Sequence, residues 1–152
     1  MCNCRASDLC PMGGKCLSEN VIYQATVTHN NSNHEEVKES YIGLASDKFK
    51  LRYRNHTKSF RNPEYRNETC LSKHIWKLKD EGTPHTITWK ILDQATTFSP
   101  STGRCNLCLK EKYYLIFKGE MCKINARIEF GSKCRHMNNL LVCNHKFKRS
   151  TD

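Results

Sequence analysis

Ten cysteines among 152 residues constrain this chain more than any other feature of its sequence. At such a density the sulfur atoms form either a disulfide framework or metal sites, and the redox compartment decides between them. The first eight residues, Met-Cys-Asn-Cys-Arg-Ala-Ser-Asp, lack the apolar stretch of a secretory signal. We therefore expect reduced cysteines that bind metal, with a secreted, disulfide-rich basic protein as the alternative.

The charge balance points to a polyanionic partner. The chain has 25 Lys and Arg against 15 Asp and Glu, which gives a formal charge of +10. Nucleic acid is the simplest partner for such an excess, and a merely soluble basic domain is the competing interpretation. No apolar run reaches the roughly 20 residues that a spanning helix needs, so we expect no membrane partner.

Composition divides the chain into three zones. Residues 1–18 are rich in cysteine and glycine and carry few apolar side chains, so a bound metal is expected to order them. Residues 19–118 have the apolar content of a folded core. Residues 119–152 form an extension that contributes further metal ligands and ends in a basic tail.

The core predicts the order β-β-α-α-β-α, an α/β (α+β) fold. We expect a small, three-stranded, mainly antiparallel sheet flanked by helices, because two β-branched segments (21–27 and 40–44) read as a hairpin and 86–92 as a third strand. The first helix is expected to be capped by Ser46 or Asp47, and the second to end at Gly82. The third helix, 105–117, is expected to pack Leu109, Tyr113 and Ile116 inward.

Basic residues alternate with aromatic residues around the first helix. This pattern suits phosphate contacts, although a solvated helix face is the commoner explanation for most of these lysines. The candidates for DNA contact are Lys50, Arg54, Lys58 and Arg61. Arg52 differs, because it shares a helix face with Phe49 and His56 at the core edge and there needs an anion, either a carboxylate or a phosphate.

Cysteine spacing predicts structural zinc. Cys105 and Cys108 lie one turn apart at a helix start, and Cys134 with His136 can complete a tetrahedral Cys₃His site. A second site can be built from Cys2, Cys4, Cys10 and Cys16, although an exchange of ligands between the two sites is also open. Closed four-ligand sites leave no position for a reacting water, so we expect both zinc ions to be structural. Cys70, Cys122 and Cys143 are left over, and Cys70 is expected to pack.

The ordered series of motifs resembles the GIY-YIG nuclease family. It runs from Val21-Ile22-Tyr23 through Tyr41-Ile42-Gly43 and Phe49 to His56, then to a helix that bears Glu111; Val21 stands where the family name has Gly. The resemblance implies a metal-dependent site for cleaving DNA. The implied site residues are Tyr23, Tyr41, Arg52, His56, Glu111 and Asn125.

The chain is most similar to the endonuclease domains of Penelope-like retroelements. The stretches that carry this are 10–16, 49–56, 71–76, 105–112 and 132–136. The resemblance implies target DNA as substrate, Mg²⁺ (or Mn²⁺) held by Glu111, an attached reverse transcriptase domain, element RNA as a partner, and work in the nucleus. The competing hypothesis is a non-catalytic zinc module that only binds nucleic acid.

The chemistry assigns a role to each of these groups. Tyr23 is the favoured general base, provided that a nearby cation stabilises its phenolate, because a tyrosine in water has a pKa of about 10. Tyr41 and His56 are expected to orient groups or carry protons, and Arg52 to hold the phosphate.

Overall fold

The computed structural model describes residues 2–96, 105–126 and 134. These residues form an α+β fold in which three antiparallel strands are accompanied by three α-helices, which confirms the predicted class. The strands are β1 (Val21–Asn30), β2 (Glu36–Ala45) and β3 (His85–Gln94). The helices are α1 (Phe49–Arg61), α2 (Cys70–Asp80) and α3 (Asn106–Phe117). Across the described residues, no helix is both long and apolar enough to cross a membrane.

β1 is the central strand of the sheet, whose order is β2-β1-β3. The predicted hairpin is confirmed, but its strands extend beyond 21–27 and 40–44 and leave only residues 31–35 as the turn. Tyr23 lies opposite Gly43 and Ala25 opposite Tyr41. Because paired side chains point to the same face of a sheet, both tyrosines lie on one face, as their spacing predicts. The pairing of β1 with β3 shifts register between Ile22 and Tyr23, next to the first tyrosine.

Each face of the sheet has its own hydrophobic core. The face that carries Tyr23 packs against α1 and α2, whose buried residues include Phe49 and Ile75. The other face, which carries Ile22 and Ile42, packs against α3. The sheet is therefore covered on both sides, and the odd-numbered residues of β1 lie on the face that packs against α1.

The N-terminal segment belongs to the first core. Cys10, Met12 and Cys16 are buried in the same cluster as Tyr23. The carbonyl groups of this segment also cap α1, because Phe49 N donates to Ser18 O at 2.9 Å and Lys50 N to Cys16 O at 2.7 Å. The expectation that Ser46 or Asp47 caps this helix is therefore wrong.

Helix α2 is held at both ends. At its N-terminus Thr69 and Ser72 form a reciprocal capping box, with Ser72 N donating to Thr69 Oγ1 at 3.0 Å. Near its C-terminus Trp76 Nε1 donates to Ser59 O of α1 at 2.7 Å. Gly82 follows the helix with a φ of +67°, the left-handed conformation that suits glycine at a helix end.

Helix α3 presents a different face to the sheet from the one expected. Leu107 and Leu115 are buried, whereas Leu109, Tyr113 and Ile116 are 46%, 48% and 59% exposed, so the predicted inward face is wrong. The helix carries apolar residues all around, and its periodicity therefore cannot select a face.

Candidate active site and cysteine clusters

The hydroxyl of Tyr23 lies at the centre of a buried polar network. It is 2.7 Å from His56 Nε2, and Arg52 Nε donates to it at 3.2 Å. Tyr23 is fully buried and His56 is 2% exposed, so these contacts form away from bulk water. Arg52 and His56 are one turn apart on α1, which explains how the helix brings both to one atom of β1.

His56 is neutral in this environment. Burial, and then the nearby charge of Arg52, lower the pKa of His56 to about 3. A neutral imidazole has one acceptor nitrogen, so His56 Nε2 can accept the hydrogen bond that the Tyr23 hydroxyl donates. His56 consequently holds the phenol in place and is a poor proton donor at neutral pH.

Arg52 is the cation of the network. Its interaction with Tyr23 raises its pKa, although burial acts in the opposite direction, and Tyr41 contributes in the same sense as Tyr23. The guanidinium therefore remains charged beside two phenols. A positive charge at this distance stabilises a phenolate more than a phenol.

Gly43 and Tyr41 are the residues of β2 that lie beside Tyr23 in the site. A Cβ atom at Gly43 would lie 2.6 Å from Cζ of Tyr23, so only glycine lets the Tyr23 ring cross β2 there. Tyr41 is 5% exposed, and its ring centroid lies 6.0 Å from that of His56. The structure thus brings together the four predicted residues Tyr23, Tyr41, Arg52 and His56.

Glu111 lies on the sheet-facing stripe of α3. It is half-buried and follows Leu107 by four residues and precedes Leu115 by four, so all three lie on one side of the helix. Leu107 and Leu115 pack with Ile42 of β2, the neighbour of Tyr41. The helix therefore places Glu111 beside the second core, on the face of the sheet opposite the one that carries Tyr23.

Asn125 stabilises the edge of β2 beside Tyr41. Its Oδ1 accepts from Ile42 N and its Nδ2 donates to Ile42 O, both at 2.8 Å. These two bonds continue the ladder of the edge strand with a side chain. The predicted site residue thus contacts the backbone next to Tyr41.

The sulfur atoms of Cys2, Cys4, Cys10 and Cys16 lie within 4.8 Å of one another. The Sγ of Cys16 is 3.5 Å from that of Cys2 and 3.7 Å from that of Cys4. A tetrahedral zinc ion with Zn–S bonds of about 2.3 Å places its sulfurs about 3.8 Å apart. Disulfide-bonded sulfurs are about 2.05 Å apart, so the cluster has the dimensions of a zinc site.

The loop after Cys10 lowers the pKa of the Cys10 thiol. Burial raises the pKa of Cys10, but the N–H groups of Met12 and Gly14, together with further hydrogen bonds, outweigh burial and lower it to about 6. Gly13 and Gly14 have φ values of +56° and +91°, which glycine adopts without strain. Burial, followed by hydrogen bonds with the neighbouring thiols, instead raises the pKa of Cys16 to about 12.

The second cluster lies at the start of α3. The sulfurs of Cys105, Cys108 and Cys134 lie within 4.8 Å of one another, and Cys108 N donates to Cys105 Sγ at 3.5 Å. Burial and the neighbouring thiols raise the pKa of Cys108. Three of the four predicted ligands therefore come together, and His136 lies outside the described residues. Both clusters are compatible with zinc in their geometry.

The leftover cysteines have packing environments. Cys70 is half-buried against the first core, and the buried thiol of Cys122 donates to Leu115 O at 3.6 Å. Packing is what the sequence predicts for Cys70. Cys143 lies outside the described residues.

The basic side chains of α1 lie on different sides of the helix. Arg54, Lys58 and Arg61 line a shallow groove of about 400 Å³ beside Pro63. At about 100° per residue they lie roughly 180–240° around the helix from Arg52, on the side away from the sheet. The ammonium of Lys50 instead bonds Asn3 and lies 3.6 Å from Cys4 Sγ.

Trp89 is a residue of the site that motif analysis missed. Its ring centroid lies 5.4 Å from that of His56 and 6.0 Å from that of Tyr23, and it also contacts Phe49. Trp89 pairs with Ala25 on β1 and so shares the face of Tyr23. The period-two alternation of the third strand was the available signal.

Comparisons with known proteins add no relative to these observations. No family model, curated protein or solved structure matches the chain.

Proposed function

We propose that this chain is a divalent-metal-dependent DNA endonuclease domain of the GIY-YIG type that nicks DNA for a Penelope-like retroelement. The observation that carries the proposal is the buried network of Tyr23, His56 and Arg52, with Tyr41 beside it. A phenol bonded at once to a neutral imidazole and a guanidinium is held in one orientation and has its anion stabilised. A tyrosine that serves only as core packing needs one hydrogen-bond partner and no neighbouring guanidinium.

Phosphodiester hydrolysis needs a base for the attacking water and positive charge at the phosphate. Tyr23, as phenolate, takes a proton from the water that attacks phosphorus. The new P–O bond forms as the bond to the leaving oxygen breaks, and solvent supplies the proton to that oxygen. His56 is not assigned this second proton, because its pKa of about 3 leaves it unprotonated at neutral pH.

Arg52 serves two partners in this scheme. Its Nε donates to Tyr23, and the guanidinium carries five N–H donors in all. We assign the donors that its tyrosine contacts leave over to the phosphate. Arg52 therefore couples the charge of the substrate to the charge state of the base.

Glu111 is the residue that would hold Mg²⁺ or Mn²⁺. One carboxylate with several waters is a common way for proteins to bind Mg²⁺, and Glu111 is a half-buried carboxylate on the sheet side of α3. When bound, the ion supplies Lewis-acid polarisation of the phosphate and neutralises the charge that develops on it. Asn125 acts indirectly, since it fixes the backbone of β2 beside Tyr41.

The two cysteine clusters lie at the starts of the two helices that carry residues of the proposed site. The first lies in the segment whose carbonyls cap α1, the helix of Arg52 and His56. The second begins α3, the helix of Glu111, with Cys105 as its N-cap. Zinc bound in both places would fix the direction of these helices without taking part in hydrolysis.

The cellular partners follow from the resemblance to Penelope-like elements alone. We propose a reverse transcriptase in the same polypeptide, which extends the 3′ end of the nick on element RNA in the nucleus. The nick would then prime copying into the genome.

A nucleic-acid-binding zinc module without catalysis is the second candidate, and the groove of Arg54, Lys58 and Arg61 favours it. The groove lies on the opposite side of α1 from Arg52, so a duplex at Tyr23 reaches it only by passing around the helix. Under the proposed function the groove holds flanking nucleic acid, whereas under the second candidate it is the principal site.

A nicking assay separates the two candidates. Tyr23→Phe removes one hydroxyl and leaves the ring on Gly43, whereas Tyr65→Phe removes a hydroxyl beside the groove and serves as a matched control. We expect the parental chain and Tyr65→Phe to nick supercoiled plasmid with Mg²⁺, and Tyr23→Phe to be slower by roughly 10²- to 10⁴-fold, the usual contribution of a general base. DNA binding without nicking in the parental chain would establish the second candidate instead.

A further inference from the structure

A third group of metal-ligating side chains lies at the other end of the first sheet face. It consists of His29 on β1, Glu39 on β2 and His74 on α2, whose ligand atoms lie within 4.8 Å of one another. Glu39 Oε2 is 2.8 Å from His74 Nε2 and 3.7 Å from His29 Nε2. The side chains of Glu39, His74 and His29 are 31%, 20% and 13% exposed, so the group is largely buried but still accessible to solvent.

Regular secondary structure fixes all three positions. Glu39 pairs with Val27 across the hairpin, which makes it the diagonal neighbour of His29 on the same face. His74 precedes Ile75, which is fully buried against that face. The ligands therefore come from rigid elements rather than from the turn of the hairpin.

Two atoms of the group are buried without a hydrogen bond. Within the described part of the chain, Glu39 Oε2 and His74 Nε2 are shielded from solvent and neither makes an aligned hydrogen bond, although they lie 2.8 Å apart. A histidinium–carboxylate pair at this distance would normally align its N–H with the oxygen. Buried polar atoms without aligned hydrogen bonds are costly, and a cation ligated by both atoms would satisfy them.

His29, the third residue of the group, also directs a ring nitrogen toward Glu39. His29 Nδ1 lies 3.3 Å from the carbonyl oxygen of Asn30, which can only accept a hydrogen bond. In a neutral His29 the proton therefore lies on Nδ1, and Nε2 presents its lone pair toward Glu39. A backbone carbonyl on the far nitrogen is the usual support of a metal-bound histidine.

We propose that His29, Glu39 and His74 bind a divalent transition-metal ion, zinc foremost, at a site separate from both cysteine clusters. Two imidazole nitrogens and one carboxylate oxygen suit zinc, whereas Mg²⁺ and Ca²⁺ take oxygen ligands. Zinc bonds of about 2.0–2.1 Å place tetrahedral ligand atoms about 3.3 Å apart, between the two separations to Glu39 seen here. Water fills the fourth position.

This site is independent of the proposed nuclease chemistry. His29 is six residues along β1 from Tyr23, a distance of about 20 Å at 3.3 Å per residue. The ion joins the outer end of the β1–β2 hairpin to α2. Its removal should loosen that end of the sheet and leave the network around Tyr23 in place.

The test counts metal ions and distinguishes nitrogen–oxygen sites from sulfur sites. The full chain is purified with zinc, dialysed, and analysed for bound zinc; a second sample, with only its cysteine clusters loaded, is titrated with Co²⁺. Co²⁺ bound to thiolates absorbs strongly through charge transfer, whereas Co²⁺ bound to imidazole and carboxylate shows only weak visible bands. The variants are His74→Asn and Glu39→Gln, and His34→Asn in the exposed hairpin turn is the control.

We expect both site variants to lose one zinc equivalent and the weak Co²⁺ bands, and His34→Asn to retain both. Zinc should also raise the melting temperature of the parental chain more than that of either site variant. Equal zinc content in the parental chain and Glu39→Gln, or Co²⁺ spectra of thiolate type alone, would overturn the proposal. If His74→Asn fails to fold, the nearly isosteric Glu39→Gln still decides the question.

Discussion

Acidification should unfold this protein partly through His56. Burial and the charge of Arg52 lower the pKa of His56 to about 3 in the folded chain, against an ordinary value of 6.5. Between these two values the unfolded chain binds the extra proton and the folded chain does not, so stability rises with pH. The contribution of a neutral His56 is complete above about pH 6.5 and is lost as the pH falls toward 3.

The size of this effect follows from the shift. Each pKa unit corresponds to 1.36 kcal/mol, so a fall to about pH 4 should cost on the order of 3 kcal/mol. A domain of this size has a total stability of roughly 5–15 kcal/mol, so the change is a large fraction of it. Because His56 is 2% exposed, solvent screening does little to reduce the figure.

The assay compares denaturant unfolding across pH in the parental chain and in His56→Gln, both saturated with zinc. Glutamine offers an acceptor to Tyr23 but does not titrate, so carboxylate and cysteine titrations are common to both proteins. We expect the difference in unfolding free energy between the two to shrink by about 3 kcal/mol from pH 7 to pH 4. Parallel loss of stability, or an NMR titration of His56 near its ordinary pKa, would refute this reasoning.

Three further predictions test other parts of the account. Cys108→Ser should lose one zinc equivalent and several kcal/mol of stability; metal analysis and melting check this, and unchanged values would remove the second zinc site. Gly43→Ala should cost about 1–3 kcal/mol through overpacking against Tyr23 and slow nicking; an unperturbed variant would contradict the described ring position. Arg54→Ala should make the slope of log affinity against log salt, about −4 to −5 for five phosphates, shallower by nearly one unit and leave the cleavage step intact; an unchanged slope would exclude nucleic acid from the groove.

Much of the fold can be predicted from strand patterns and ordered motifs, because these patterns depend on local geometry. The alternation in β1 and β2 predicts the hairpin and places Tyr23 and Tyr41 on one face, and the spacing of Arg52 and His56 predicts that they share one face of a helix. Each of these relations depends on the period of a single element. The structure bears out all of them.

Features that depend on distant parts of the chain escaped this reasoning. The cap of α1 comes from the carbonyls of Cys16 and Ser18, more than thirty residues earlier, which no local capping pattern reveals. The face of α3 is chosen by Leu107 and Leu115 against the second core, although Leu109 and Ile116 are equally apolar. Helix spacing alone could have shown that Arg54 and Arg52 point to opposite sides of α1, which the grouping of basic residues obscured.

The third metal group shows the same limit. His29, Glu39 and His74 come from three elements, and no short motif contains two of them. Their proximity depends on the hairpin register and on the packing of α2, both of which are tertiary properties.

The central claim is that Glu111 holds the cation for hydrolysis of DNA, and a single-turnover nicking assay of Glu111→Gln tests it most directly. The substitution preserves size and helix position but replaces the charged ligand with an amide, a much poorer ligand for Mg²⁺. Glu120→Gln, at an exposed carboxylate just beyond α3, is the matched control. Zinc content and melting temperature of both variants are measured alongside.

We expect the parental chain and Glu120→Gln to nick supercoiled plasmid with Mg²⁺ and to stop with chelator. Glu111→Gln should be slower by on the order of 10³-fold, which corresponds to about 4 kcal/mol of transition-state stabilisation. Its zinc content, fold and metal-free DNA binding should be unchanged. Nicking by Glu111→Gln at the parental rate would make Glu111 an ordinary helix carboxylate and would contradict the proposed active site.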